Sequence, residues 1–370
     1  MRTLILATIV ATALLAARGS TAVAYPQYQL SHDATCTGCH ISPAGGGLLS
    51  ENGFLVAEAE SWKGGDPQFL HGVSLADWIQ LGGDARGAAG AVDNGALGAA
   101  AYPMQAELRA SAGGHGFTFN ATGGLRRPQS GGSVVHALWS REHYLMWQQK
   151  PGATEGLYLR AGRFMPVYGL RLAEHIAYTQ RFGGEPLYGE AYGAAVEYVT
   201  RPFEVHATGF VHDSIGSAVE HGDGAALYAE ARIGEHAAIG GEAKYASDND
   251  QHRTYAGLIG KLYIPGSNLL FQAEAELVHN SLVTGGSYNQ LLGQVLATHP
   301  LAQGWLLDVG IGHYTQDTAV KGNYRESIDI NVHWFLTSHL EALATTRIEL
   351  LDRGSGPNGG YALAQVHYRL

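Results

Sequence analysis

The chain has 370 residues and a formal charge of −10 at pH 7; only 15% of its residues are charged, and 51 are glycines. The acidic balance argues against a nucleic-acid partner, because phosphate binding needs a basic surface, and it favours the attraction of cations. Beyond the N-terminus no stretch of about 18 uncharged apolar residues occurs, so the sequence predicts no membrane-spanning helix after the first segment.

The first 24 residues have the pattern of a cleaved secretory signal. Arg2 supplies a positive start, residues 4–17 form a short apolar stretch, and residues 22–24 match an A-x-A cleavage site. A single anchoring helix is the alternative, although the apolar stretch is short for one. We therefore expect export, with a mature chain that begins near Tyr25.

Residues 36–40 form the C-x-x-C-H pattern of c-type haem attachment. Two thiols one helical turn apart can each add to a vinyl group of haem, and the adjacent histidine then faces the iron. A thioredoxin-type redox pair would need a βαβ context, a zinc site would need two more ligands, and a small disulfide is the third alternative. The export signal favours one covalent haem c on Cys36 and Cys39, with His40 as proximal ligand of the iron.

The haem module predicted for residues 25–76 is short. About fifty residues rarely hold a domain together with a hydrophobic core alone, so the covalent haem would have to serve as that core, helped by a neighbouring domain. Residues 48–62 have apolar positions at helical spacing and predict a helix that packs on the macrocycle.

The second axial ligand of the iron is left open by the sequence. No methionine occurs between His40 and Met104. The candidates within the module are His71, which we favour because it follows the motif by 31 residues and can approach the opposite haem face, and His32, which lies just before the motif. Water, or a side chain of the following domain, are the other possibilities.

The remaining chain, residues 77–370, alternates in polarity in long segments separated by Gly, Asn, Asp and Pro. A soluble β-sandwich would also alternate, but the strand length, the charged polar face and the export signal favour an outer-membrane antiparallel barrel. We predict sixteen strands, at residues 78–88, 101–112, 115–126, 134–148, 155–165, 187–200, 203–213, 223–233, 235–246, 252–264, 267–280, 287–298, 303–316, 323–335, 338–352 and 359–370.

One stretch of about twenty residues, 163–181, interrupts the hairpin rhythm and is expected to fold inward as a loop lining the pore. It contains three arginines that would pair with haem propionates, namely Arg163, Arg171 and Arg181. His175 or Met165 would approach the iron. Acidic residues on the lumen face would solvate the lumen or attract metal cations, and they are Glu107, Glu274, Glu276, Glu341 and Glu349.

The order of signal peptide, C-x-x-C-H motif and barrel resembles the fused monohaem cytochrome–porins of the outer membrane. In specific residues the resemblance covers 36–53, where the motif is followed by a proline and a glycine run. It implies a small helical cytochrome module, at the periplasmic mouth or inside the lumen, that carries electrons between periplasmic c-type cytochromes and an extracellular donor or acceptor. Iron as that donor, and hence an iron oxidase, is implied by analogy alone.

Two other functions remain open at this stage. One is a passive porin whose haem-bearing module serves as a plug or redox gate. The other is a haem enzyme with an open coordination site that acts on a small ligand.

Overall fold

The computed structural model describes residues 30, 35–73, 75–93, 96–125, 138–172, 177–212, 222–351 and 358–370. Over these ranges the chain forms a closed antiparallel barrel of sixteen strands. The strands are β1 (Ile79–Asp93), β2 (Leu97–Gly114), β3 (Phe117–Leu125), β4 (Leu138–Gln148), β5 (Gly156–Phe164), β6 (Ala191–Val199), β7 (Phe203–Val211), β8 (Asp223–Ile233), β9 (Ala237–Ser247), β10 (Gln251–Ile264), β11 (Leu269–Leu282), β12 (Ser287–Ala302), β13 (Trp305–Thr315), β14 (Tyr324–Phe335), β15 (Leu340–Leu351) and β16 (Gly359–Arg369). Each overlaps one predicted segment, so the predicted fold class is confirmed.

The barrel is closed by the pairing of β1 with β16, in a register that runs from Asp84 opposite Arg369 to Asp93 opposite Gly360. All other neighbours in the barrel are consecutive in sequence. Closure matters because lipid offers no hydrogen bonds, and an open strand edge would leave backbone N–H and C=O groups unsatisfied.

Strand β11 shows how the sequence alternation maps onto the two barrel faces. Gln272, Glu274 and Glu276 are buried, while Phe271 and Leu277 are exposed on the outer surface. The usual relation of polarity to burial is therefore reversed, as expected where the outer face meets lipid and the inner face lines a filled lumen.

The two ends of the barrel differ in the length of their connections. The turns that follow even-numbered strands have at most seven residues, whereas residues 165–190 alone join β5 to β6 at the other end. Exposed aromatic side chains occur at both ends. At the short-turn end they are Trp78, Phe117, Phe203 and Trp305, and at the other end Tyr245 and Tyr324. Short periplasmic turns, longer outer loops and aromatic girdles are features of outer-membrane barrels.

The helices are few and short: α1 (Cys36–Cys39), α2 (Glu51–Glu60), α3 (Phe69–Gly72) and α4 (Tyr178–Phe182). Helix α2 lies within the helix predicted for residues 48–62, and β1 begins three residues after the predicted end of the module. Within the described part of the chain, no helix has the length and apolarity needed to cross a membrane. The predicted signal peptide, His32 and His175 fall outside the described residues.

The plug, as we call residues 35–73, is attached to the short-turn end of the barrel. Trp62 donates its backbone N–H to Phe335 O at 2.8 Å, and Ser338 Oγ donates to Gly65 O at 2.9 Å. The Trp62 ring also packs against Trp334, with ring centroids 5.8 Å apart. These contacts bind the C-terminal part of the plug to the β14–β15 turn.

A row of ion pairs and hydrogen bonds, which we call the belt, runs from strand to strand along the inner face of the barrel. His333 on β14 contacts Asp308 Oδ2 at 3.0 Å through Nε2 and Glu341 Oε1 at 2.7 Å through Nδ1. The belt continues across the closing seam, because His367 on β16 contacts Glu341 Oε2 at 3.1 Å and Asp84 Oδ1 at 2.6 Å. The belt therefore links β13, β14, β15, β16 and β1 through side chains as well as backbone.

We expect His333→Ala to destabilise the folded barrel by about 3 kcal/mol, because it removes the partner of two buried carboxylates at once. His313→Ala is the matched control: His313 lies on the neighbouring strand, is 40% exposed and sits 3.7 Å from Glu326, so its loss should cost under about 1 kcal/mol. Guanidinium unfolding of the two variants in lipid vesicles measures the difference. Equal midpoints for both variants would contradict a structural role for the belt.

Candidate functional site

The N-terminal part of the plug contacts the lumen wall and a turn. Thr37 Oγ1 donates to Thr154 O in the β4–β5 turn, and Gln80 Nε2 at the start of β1 donates to Leu49 O at 2.7 Å. The motif of residues 36–40 therefore lies between two well-separated parts of the barrel wall.

The C-x-x-C-H motif folds as one helical turn, α1, which the start of α2 holds in place. His40 donates its N–H to Cys36 O at 2.9 Å. Ser50 caps α2 by accepting from Gly53 N at 3.1 Å, and it donates its hydroxyl to Gly38 O at 2.9 Å. A Cβ at Gly53 would overlap Cys39 O. The absence of a side chain at Gly53 therefore allows the start of α2 to approach the motif.

The glycine run after the motif follows a left-handed backbone path. Gly45, Gly46 and Gly47 have φ values of +81°, +67° and +68°, which side-chain-bearing residues adopt only at a cost. A Cβ on Gly46 or Gly47 would meet no atom within 4 Å. The run is therefore needed for its backbone path, and it forms one wall of an adjoining cavity.

A cavity of about 600 Å³ adjoins the motif. On one side it is lined by Cys36, Cys39, His40 and the glycine run. On the other it is lined by barrel strands and by residues 165–172 and 177–190, which we call the inward segment. This volume is typical of small-molecule and cofactor sites. Among the described residues, arginines are prominent in the lining: Arg86, Arg109, Arg141, Arg160, Arg171 and Arg369.

The residues of the motif fit a haem c. The imidazole of His40 lines the cavity together with the two cysteines and the glycine run. Burial, aided by the positive charge of Arg109, lowers the pKa of His40 to about 4, so its imidazole is neutral at pH 7, the form that binds a metal. Cys36 and Cys39 are not joined by a disulfide, and burial raises the pKa of the Cys36 thiol to about 11.

The structure brings some predicted residues to this cavity and places others elsewhere. Met165 and Arg171 line it. Arg163 instead donates to Ser140 O at 3.1 Å, and Arg181 is exposed. His71, our favoured distal ligand, lies outside the lining: its Nε2 is 3.1 Å from Tyr368 Oη at the barrel rim. The sequence-based prediction of His71 as ligand is untested, and the cavity lining offers two rival ligands, Met104 and Met165.

Met104 alternates in phase with Leu108 in the sequence, yet Leu108 is exposed and Met104 lines the cavity. A β-bulge shifts the register at this point, since Arg86 pairs with Gln105 while Gly87 pairs with Pro103. The extra residue reverses which side chains face inward, so Met104 lines the cavity. Strand periodicity alone contains no signal for such a bulge.

The lumen arginines other than Arg171 were missed as site residues by the sequence analysis. Arg109 was assigned to the polar face of its strand, but nothing in the sequence indicates that it lies near His40. One sequence feature could have pointed to these five arginines: each lies on a predicted strand, where alternate residues face inward.

The fold is similar to those of solved outer-membrane proteins. OmpT of Vibrio cholerae in its trimer form matches with a TM-score of 0.61 and 12% identity, over 79% of this chain and 99% of that one. An anion-selective porin from Comamonas acidovorans matches with a TM-score of 0.61, 11% identity and coverage of 79% and 99%. OmpF of Salmonella typhi, in complex with daunomycin, matches with a TM-score of 0.61 and 11% identity, over 79% of this chain and 97% of that one.

At these identities the likeness shows the fold: the chain has the β-barrel fold of outer-membrane porins. No protein-family model matches the sequence. No curated protein matches it either.

We expect His71→Ala to leave the visible spectrum of the haem-loaded protein unchanged, because Tyr368 and His339 already hold this side chain at the rim. A combined Met104→Leu, Met165→Leu variant nearly conserves side-chain volume but removes both thioethers from the cavity, and it should change the spectrum. Absorption spectra of the three proteins test this, and a high-spin spectrum for His71→Ala would instead establish His71 as the ligand.

Proposed function

We propose that this chain is a porin-type barrel whose lumen is filled by a haem-bearing plug, and that it passes electrons across the outer membrane through that single haem c. The observation that supports the proposal is the position of Cys36, Cys39 and His40 against a cavity enclosed by barrel strands and the inward segment. A haem there would supply a one-electron redox centre.

The lumen is a suitable place for such a centre. The apolar band of an outer-membrane barrel is about 25 Å tall, so a haem in the periplasm would be poorly placed to exchange electrons across it. The barrel wall would separate a lumen haem from lipid. Its propionates would meet lumen arginines such as Arg109 and Arg171, which also pair with Asp84 and Glu204 of the barrel.

The arrangement also suggests where redox partners would meet the protein. The rim at the short-turn end, which holds the end of the plug, would face a periplasmic c-type cytochrome. An extracellular redox partner or metal ion would approach the longer loops of the other end. Iron oxidation rests only on the family resemblance.

A passive porin with a haem-bearing plug or redox gate is the second candidate. The similarity to solved porins favours it over the electron conduit, since the protein from Comamonas acidovorans is described as an anion-selective porin. In this case the plug would regulate the passage of solutes, and the oxidation state of the haem would control the plug.

The test compares the wild-type protein with Cys36→Ala, Cys39→Ala in liposomes that contain a trapped redox dye. After an external reductant is added, the wild type should bleach the dye, while the variant should bleach it no faster than protein-free liposomes. Heat-modifiable gel mobility checks that the variant barrel is folded. Equal rates for the two proteins would eliminate the conduit.

Liposome swelling in sugar solutions distinguishes the second candidate. The conduit predicts that wild-type liposomes swell no faster than empty ones, because plug and inward segment fill the lumen. Swelling that depends on the oxidation state of the haem would support the gated porin instead.

A further inference from the structure

A second site lies in the lumen wall, on the side where the inward segment packs against β9 and β11. Glu242, Glu274 and Glu276 place one carboxylate oxygen each within 4.8 Å of one another, and the residues are only 6%, 5% and 1% exposed. We propose that these three carboxylates bind a divalent cation that prefers oxygen ligands, such as Ca²⁺ or Mn²⁺. This site is independent of the haem motif.

The spacing of the oxygens suits such an ion. Ca²⁺ binds oxygen at 2.3–2.6 Å, so two ligand atoms on opposite sides of it lie up to about 5 Å apart. The three oxygens lie within this distance of one another. Carboxylates are the ligands that hard cations select.

The barrel register builds the cluster around a glycine. In three adjacent strands, Gly257 on β10 pairs with Glu242 on one side and with Glu276 on the other. A Cβ at Gly257 would overlap Glu242 Oε1. The missing side chain therefore gives Glu242 room to lie across β10 toward Glu276.

Each carboxylate also accepts one hydrogen bond from the inward segment. Gly169 N donates to Glu242 Oε2 at 2.7 Å, and Leu170 N donates to Glu274 Oε2 at 3.0 Å. Tyr168 Oη donates to Glu276 Oε1 at 3.2 Å. Three consecutive residues of the segment are thus oriented by the cluster, and each carboxylate has a further oxygen available.

Several of the remaining polar atoms are buried without a partner. Glu242 Oε1 and Glu276 Oε2 accept no hydrogen bond. From the inward segment, the hydroxyl of Thr179, a residue 2% exposed, points at Glu274 and has no partner apart from that carboxylate. Glu185 Oε2 is buried and also without a partner. Such groups are costly unless something binds them.

Glu185 adds a fourth acid to the cluster. A Cβ on Gly169 would lie 3.2 Å from Glu185 Oε2 and 3.4 Å from Glu274 Oε1, so both oxygens face the same small space. Lys244, whose Nζ donates to Gly184 O at 2.8 Å, and Arg171 supply two positive charges nearby. Four carboxylates therefore exceed this local positive charge, and a divalent cation would balance the excess.

Such an ion would clamp the inward segment to the barrel wall. An ion held by carboxylates from β9 and β11, together with Thr179 and Glu185, would tie both arms of the inward segment to the barrel wall. The segment would then be held in place beside the plug by an ion, in addition to its hydrogen bonds.

The test uses the purified full-length protein, freed of metals with a chelator and titrated with Mn²⁺, with bound ion followed by electron paramagnetic resonance and Ca²⁺ as competitor. The wild type should bind one ion per chain in a saturable manner. Glu274→Gln, Glu276→Gln should weaken binding by about 100-fold or more, since two charged ligands are lost. Glu326→Gln, which makes the same kind of change at an exposed position, should bind as the wild type does.

A second pair of variants keeps every charge and adds only a methyl group to strand β10, either beside the cluster or away from it. Gly257→Ala should abolish binding by displacing Glu242, whereas Gly260→Ala, on the same strand with open space at the Cβ position, should leave it intact. Gel mobility confirms that each barrel is folded. No saturable binding to the wild type, or equal binding by the Glu274→Gln, Glu276→Gln variant, would overturn the proposal.

Discussion

The structure depends on the constraint that every backbone N–H and C=O within lipid must find a partner inside the protein. The pairing of β1 with β16 meets it by leaving no free edge. Once the sheet is closed, alternate side chains must face lipid or the lumen. Exposed Leu277 and buried Glu276 on β11 are adjacent residues with opposite surroundings for this reason.

A second constraint follows from the first. The polar side chains directed inward meet a plug and an inward segment rather than open water, so they must satisfy one another. His333 and His367 do so in the belt that crosses the closing seam. Arginines beside the motif do so as well, since Arg109 pairs with Asp84 and Arg171 pairs with Glu204. The carboxylates around Gly257 are the place where charges of one sign gather, and they point to a ligand of the opposite sign.

Much of the fold could be predicted from the sequence, because strand periodicity is local and every strand of the barrel repeats it. The exceptions have causes that periodicity does not report. Met104 faces inward because of a bulge. The place of His71 at the rim, where its ring meets Tyr368, depends on a contact between distant parts of the chain, and its role as a ligand stays a prediction.

The sequence by itself determined the strand number, the inner and outer faces, and the haem-attachment chemistry expected of Cys36, Cys39 and His40, since each depends on residues close together in the chain. Only the tertiary structure decided what surrounds that motif. Arg171 follows Cys36 by more than a hundred residues, and barrel closure brings both to one cavity. Likewise Glu242 and Glu276 meet across Gly257 only because the register of three strands aligns them.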